Sequence, residues 1–110
     1  MITREDVVAL NRLDDKGKVV NEGSLAFALS VGLKTKDWVT QVAYLLRAIL
    51  LDHVFEDGNK RTALSLLLAA AKDHTKGYDL YKLDLIIKRI IEQKISDIKT
   101  IKELIKDAVW

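Results

Sequence analysis

The sequence predicts an all-α fold, a compact bundle of about six helices. Three observations carry that expectation. There is no proline and there are only five glycines in 110 residues, so little interrupts a helix. The β-branched residues sit at helical spacing rather than alternating as in a strand. Residues able to cap a helix N-terminus stand before most of the apolar stretches.

Each element follows in order. Thr3 can cap a first helix, with Asp6 three residues on in a capping-box arrangement. That helix runs to about Leu13 and stops at the turn "DDKGK" with Gly17. Asn21 caps a second, short helix, "EGSLAFALSV", whose Leu25, Ala28 and Leu29 share a face. After the loop "GLKTKD", a third helix starts near Asp37 and runs to about Asp52. Its stripe of Trp38, Val42, Leu45 and Ile49, widened by Leu46 and Leu50, marks it as largely buried. The stretch "KRTALSLLLAAAKDH" reads as a fourth helix, apolar nearly all round and so the expected centre of the bundle, closed by Gly77. Asp79 caps a fifth helix with Leu83, Ile86, Ile87, Ile90 and Ile91 inward. Ser96 is the expected cap of a sixth, with Ile98, Ile101, Leu104 and Ile105 inward and Lys99, Lys102, Glu103 and Lys106 outward. No repeat or linker divides the chain, and one domain is expected over residues 1–110.

Composition removes several classes of function. With 49% hydrophobic and 31% charged residues, the chain can bury a core and is not disordered. A net charge of +2 with well-mixed signs argues against a protein that neutralises phosphate backbones. No cysteine is present, which removes disulfides, thiolate metal sites and cysteine nucleophiles. The opening "MITREDVVAL" has acids where a signal peptide needs apolar residues, and Arg47 interrupts the longest apolar run. A cytoplasmic protein without membrane contact is the expectation.

Between the two most apolar segments lies the polar run "HVFEDGNKRTA", residues 53–63. Phe55 is the one large apolar group in this loop and the expected anchor to the core. Gly58 allows backbone conformations closed to other residues and precedes a helix N-terminus, where free N–H groups attract anions. Lys60 and Arg61 place two cations in that first turn, against the helix dipole. Helix stability gives no reason for them, whereas a bound anion does, and Asn59 can donate to the same anion. Asp57 is a hard oxygen ligand of the kind that holds Mg²⁺ together with phosphate oxygens. His53 is basic near neutral pH and can take a proton from an attacking hydroxyl. A base, a metal ligand and an anion nest describe phosphoryl or nucleotidyl transfer.

The string "HVFEDGNKR" resembles the signature of the Fic/Doc family, His-x-Phe-x-Asp/Glu-Gly-Asn-Gly/Lys-Arg. All seven specified positions match: His53, Phe55, Asp57, Gly58, Asn59, Lys60 and Arg61. "NEGSLAFAL" is similar to a weaker segment upstream of the motif in Doc-like members, and the resemblance covers residues 1 to about 80. It implies a small all-α fold with the motif between two helices. His53 would be the base that activates a Ser or Thr hydroxyl of a target protein. Asp57 would hold Mg²⁺, Gly58, Asn59, Lys60 and Arg61 the phosphates of ATP, and Phe55 would be structural.

Two positions point to the Doc (death-on-curing) branch. Lys60 stands where AMP-transferring members have Gly, and Leu64 where they have a second Arg. Resemblance to Doc implies transfer of the terminal phosphate of ATP, the toxin's role in a toxin–antitoxin pair, and elongation factor Tu as target. Fic-type AMP transfer (AMPylation) and a non-catalytic nucleotide- or partner-binding module stay open as alternatives. Val54 replaces the usual Pro after the motif His, at a position without chemistry. The link "VGLKTKD" leaves little room for the hairpin flap that binds the target in the family. No Ser/Thr-x-x-x-Glu-Gly/Asn inhibitory string occurs in the chain, so restraint would come from a separate antitoxin chain. The blander readings belong to the flanks. His74 reads as a partner of a helix C-terminus, Asp52 and Glu56 as solvated, Trp38, Tyr44 and Tyr78 as packing residues, and Trp110 as a terminal anchor.

Overall fold

The computed structural model describes residues 2–110. Six helices follow one another: α1 (Arg4–Arg12), α2 (Glu22–Gly32), α3 (Trp38–Leu51), α4 (Asn59–His74), α5 (Leu80–Gln93) and α6 (Ile98–Asp107). No strand forms among the described residues; two isolated antiparallel bridges, Val19 with Phe55 and Tyr78 with Val109, tie loops together. No helix among them is long and apolar enough to cross a membrane.

Local side-chain chemistry sets most helix starts. Thr3 and Asp6 close a reciprocal capping box on α1. Asn21, Asp37, Asp79 and Asp97 each accept a backbone N–H of the turn they cap. The cap of α6 is therefore Asp97 and not Ser96. The two are neighbours, and the carboxylate reaches both the N–H and the hydroxyl of Thr100, at 3.0 and 2.7 Å. The α4 start is the exception, since Gly58 stands at its cap position and offers no side chain.

The expected centre moves by one helix. α3 packs against α2, α4, α5 and α6, whereas α4 touches α1, α3 and α5. The apolar circumference of α4 owes much to alanine, and Ala69 faces outward while Leu64 and Leu68 are only partly covered. α3 instead buries Val42, Ala43, Leu45, Leu46 and Ile49 completely. Its one charged residue, Arg47, lies over the Tyr44 ring and donates to the Ser96 carbonyl at 3.2 Å.

The ends of α4 and of the chain differ from expectation in detail. α4 stops at His74 with Thr75 as its C-cap, and Thr75 Oγ1 donates to the Ala71 carbonyl at 2.6 Å. Gly77 serves another purpose. The Trp110 ring packs on its Cα, and the two backbones exchange hydrogen bonds of 3.0 and 3.1 Å. Trp110 is thus an anchor through its backbone. His74 stacks in parallel on Trp38, ring centres 5.2 Å apart, instead of serving its own helix end.

Three capping groups give the fold an acid dependence. Asp6 is held below the usual carboxylate range by the backbone N–H and the hydroxyl of Thr3. The hydroxyl of Thr40 and Lys102 do the same for Asp37, and the hydroxyl and N–H of Thr100 for Asp97. Each folded-state pKa lies below its unfolded value, so the stabilisation is complete above the unfolded value and drains as the pH falls through the folded one. Stability measured by urea unfolding is expected to be flat near neutral pH and to decline from about pH 5 downward. Asp37→Asn keeps a capping side chain but loses the charge, and it should flatten part of that slope.

Candidate functional site

The site begins where α3 ends. Asp52 is the C-cap, its N–H still bound to the Ala48 carbonyl at 3.1 Å. His53 then takes the left-handed conformation with φ +49. For a non-glycine residue this costs roughly 1–2 kcal/mol. Its consequence is a sharp reversal: His53 is left exposed, while Val54 and Phe55 drop into the core at 0% and 1% exposure. Val54, outwardly just a substitute for proline, is thus a second anchor beside Phe55.

Backbone hydrogen bonds fasten this reversal. The Val54 carbonyl accepts from the N–H of Val20 at 2.8 Å and of Asn21 at 3.2 Å. The Glu56 N–H donates to the Lys18 carbonyl at 3.1 Å. Asn59 closes the other side. Its Oδ1 accepts the Phe55 N–H at 3.0 Å, and its Nδ2 donates to the Phe55 carbonyl at 2.8 Å. The Asn59 side chain therefore clasps the loop and, contrary to the expectation from the sequence, is not free to donate to an anion.

Gly58, at φ +77, turns the chain into α4. The first helical bond there is Thr62 N–H to the Gly58 carbonyl at 2.9 Å, so the N–H groups of Asn59, Lys60 and Arg61 have no carbonyl partner among the described residues. A Cβ at position 58 would lie 2.8 Å from Asp15 Oδ2 and 3.2 Å from Asn11 Nδ2. Glycine is required here by conformation and by space.

Those two neighbours are the residues that the sequence reading missed. Asn11, on the buried side of α1, is only 2% exposed. Its Nδ2 lies 2.9 Å from the Asp57 carbonyl and 3.0 Å from Thr62 Oγ1, and its Oδ1 accepts the Gly17 N–H at 2.8 Å. Asp15 lies 3.0 Å from Arg61 Nη2 in an ion pair. A signal for Asn11 existed: it sits four residues after buried Val7, where the α1 stripe calls for an apolar residue. Asp15 lies in a charged turn and carries no such signal.

The result is a cleft of about 410 Å³ lined by His53, Glu56, Asp57, Gly58, Asn59, Lys60 and Arg61, with Leu50 and Ile91 as its apolar wall. Every candidate chemical residue is there, and Phe55 lies buried behind them. The Asp57 carboxylate is exposed and makes no bond to a described residue, and Lys60 has no carboxylate partner among them. No group of three His, Cys, Asp or Glu side chains suited to a metal forms among the described residues. Asp57 is thus a single exposed carboxylate, a hard oxygen donor of the type that serves Mg²⁺ where phosphate and water supply the other ligands. The loop 33–37 contains no hairpin, and it lies before the start of α3, at the other end of that helix from the cleft.

Compared with models of known families, with curated proteins and with solved structures, the chain gives no match.

Removing the Asn11 side chain should leave the Asp57 carbonyl, the Gly17 N–H and the Thr62 hydroxyl without that partner. Asn11→Ala is expected to cost about 2–3 kcal/mol in urea unfolding, toward the upper range for unpaired buried groups. A cost below roughly 0.5 kcal/mol, the level of an ordinary surface change, would show that Asn11 does not hold the loop.

Proposed function

We propose that this chain is a Doc-like phosphotransferase of the Fic/Doc family, moving the terminal phosphate of ATP to a Ser or Thr hydroxyl of a target protein. The observation that carries the reading is a coincidence of two kinds. Seven specified positions of the family signature match within nine residues. The six with chemical roles line one cleft, and the seventh, Phe55, is the buried anchor.

On this reading the ATP phosphates sit over the first turn of α4. The free N–H groups, Lys60 and Arg61 neutralise them. Mg²⁺, when bound through Asp57 and phosphate oxygens, supplies charge neutralisation at the transferring group. His53 takes the proton of the acceptor hydroxyl. The hydroxyl oxygen bonds to the terminal phosphorus as the bond from that phosphorus to its bridging oxygen breaks, and ADP leaves. Lys60 in place of Gly and Leu64 in place of a second Arg favour this over AMP transfer, in which the hydroxyl bonds to the α phosphorus and pyrophosphate leaves. Elongation factor Tu is the target class in the cytoplasm, and a separate antitoxin chain is the restraint. A docked target cannot pair with a flap hairpin, which the 33–37 link lacks, and would approach through the Leu50 and Ile91 wall.

The test uses Mg²⁺, host lysate and ATP labelled in the α or the γ phosphate. Label is expected on protein from γ alone, reduced at least about 10²-fold in His53→Ala, the lower range for a general base. Label from α would replace the reading with AMP transfer. No label on any protein, in a preparation shown to be free of other chains, would favour a non-catalytic module.

Asp15 adds a separate expectation. The Asp15 carboxylate holds Arg61 Nη2 and opposes the charge of a phosphate that binds the same guanidinium. Asp15→Asn should tighten ATP binding by about two- to fivefold, the scale of one exposed ion pair. Weaker binding in titration calorimetry would mean that Asp15 positions Arg61 instead of competing for it.

A further inference from the structure

Asn11 is 2% exposed and takes no part in lining the motif cleft, yet its side chain ends on a residue that does. The amide has no choice of orientation. At Gly17 it meets an N–H, which can only donate, and at Asp57 a carbonyl, which can only accept. Oδ1 therefore takes the first at 2.8 Å and Nδ2 the second at 2.9 Å. The second Nδ2 hydrogen goes to Thr62 Oγ1 at 3.0 Å. Partners on three segments hold one buried amide, which cannot turn without losing them.

What this grip controls is the peptide between Asp57 and Gly58. The peptide is trans, so its carbonyl and its N–H point in opposite directions. The carbonyl is held toward α1. The Gly58 N–H therefore faces away from α1, and it has no carbonyl partner among the described residues. Glycine at 58 does not make that choice, because it tolerates φ of either sign. Without the grip, the 57–58 peptide can turn over while the chain on both sides keeps its path. Turned over, it would present the Asp57 carbonyl outward, and a carbonyl repels the phosphate that an N–H attracts.

From these contacts we infer that Asn11 is a positioning residue of the proposed phosphotransferase. Held on α1, it keeps the Asp57 carbonyl out of the cleft and so sets the affinity of the cleft for phosphate. This role rests on the proposed reading of the cleft and is separable from the share of Asn11 in stability.

The test titrates the ¹⁵N-labelled full chain with pyrophosphate, without metal. In the parent, the Gly58 amide should shift to saturation together with those of Lys60 and Arg61. Asn11→Leu should weaken binding at least about tenfold, the loss of one hydrogen bond to a charged group, and leave the Gly58 amide nearly unmoved. Asn11→Ser, too short to reach the carbonyl, gives the same reading should the leucine variant not fold. Thr62→Val is the control. It takes a partner from the same buried amide and should lower stability as well, but it leaves the grip on the Asp57 carbonyl. Its binding should stay within about twofold of the parent, the scale of an ordinary surface change. If both variants lose affinity in step with the stability they lose in urea unfolding, Asn11 is structural only and the inference fails. It fails also if Asn11→Leu binds as the parent does, or if Lys60 and Arg61 shift in the parent while Gly58 does not. No saturable shift at any of residues 58–61 would overturn the phosphate reading of the cleft, and this role with it.

Discussion

The left-handed turn at His53 is the constraint on which the rest of the site depends. One residue in an unfavourable conformation lets the chain leave α3, send Val54 and Phe55 inward and return as α4. Burying those two side chains contributes about 1.5–3 kcal/mol each, which exceeds the roughly 1–2 kcal/mol of the turn. The core thus holds the strained backbone in place. The position also suits a histidine, which is among the residues that adopt this region more readily than most, and its side chain is left on the outer side of the reversal.

Around that turn the loop is fixed from three directions by partners far apart in sequence. Backbone groups of residues 18–21 hold one edge, the Asn59 side chain holds the other, and Asn11 holds the Asp57 carbonyl from α1. α1 therefore contributes to the site without contributing a residue to the motif. The capping box fixes its start, and Asn11 near its end bonds Thr62 in the first turn of α4.

How much of this was legible in the sequence follows from the range of each interaction. The caps at Thr3, Asn21, Asp37 and Asp79 could be read because a cap binds a backbone group two or three residues on. Ser96 and Asp97 are both capping types, and which one acts depends on the direction in which the chain arrives. The centre of the bundle was misplaced onto α4 because apolar composition says how much a helix can bury, and neighbours decide how much it does. The seven motif residues were legible because they are contiguous. Asn11 and Asp15 act across 46 residues of sequence, and only the packing of α1 against α4 brings them there.

The electrostatics of the cleft show what that packing leaves unfinished. Lys18 is paired with Glu56 at 3.6 Å, and Arg61 with Asp15 at 3.0 Å. Among the described residues this leaves Lys60 as the motif cation without a carboxylate and Asp57 as the motif carboxylate without a cation. Both stand beside three backbone N–H groups that lack carbonyl partners. A fold selected for stability alone would pair the two charges with each other or replace them, because a lysine in the first turn opposes the helix dipole. On the proposed reading, phosphate meets Lys60 and the N–H groups while Mg²⁺ meets Asp57, and each lone charge gains its partner from the ligand. Asp15 then occupies an intermediate position, since its carboxylate neutralises Arg61 in the free protein and opposes the phosphate that would replace it. The Asp15 pair thereby keeps the chain from presenting two uncompensated cations side by side, and on the proposed reading it would do so at the cost of part of the affinity for the anion.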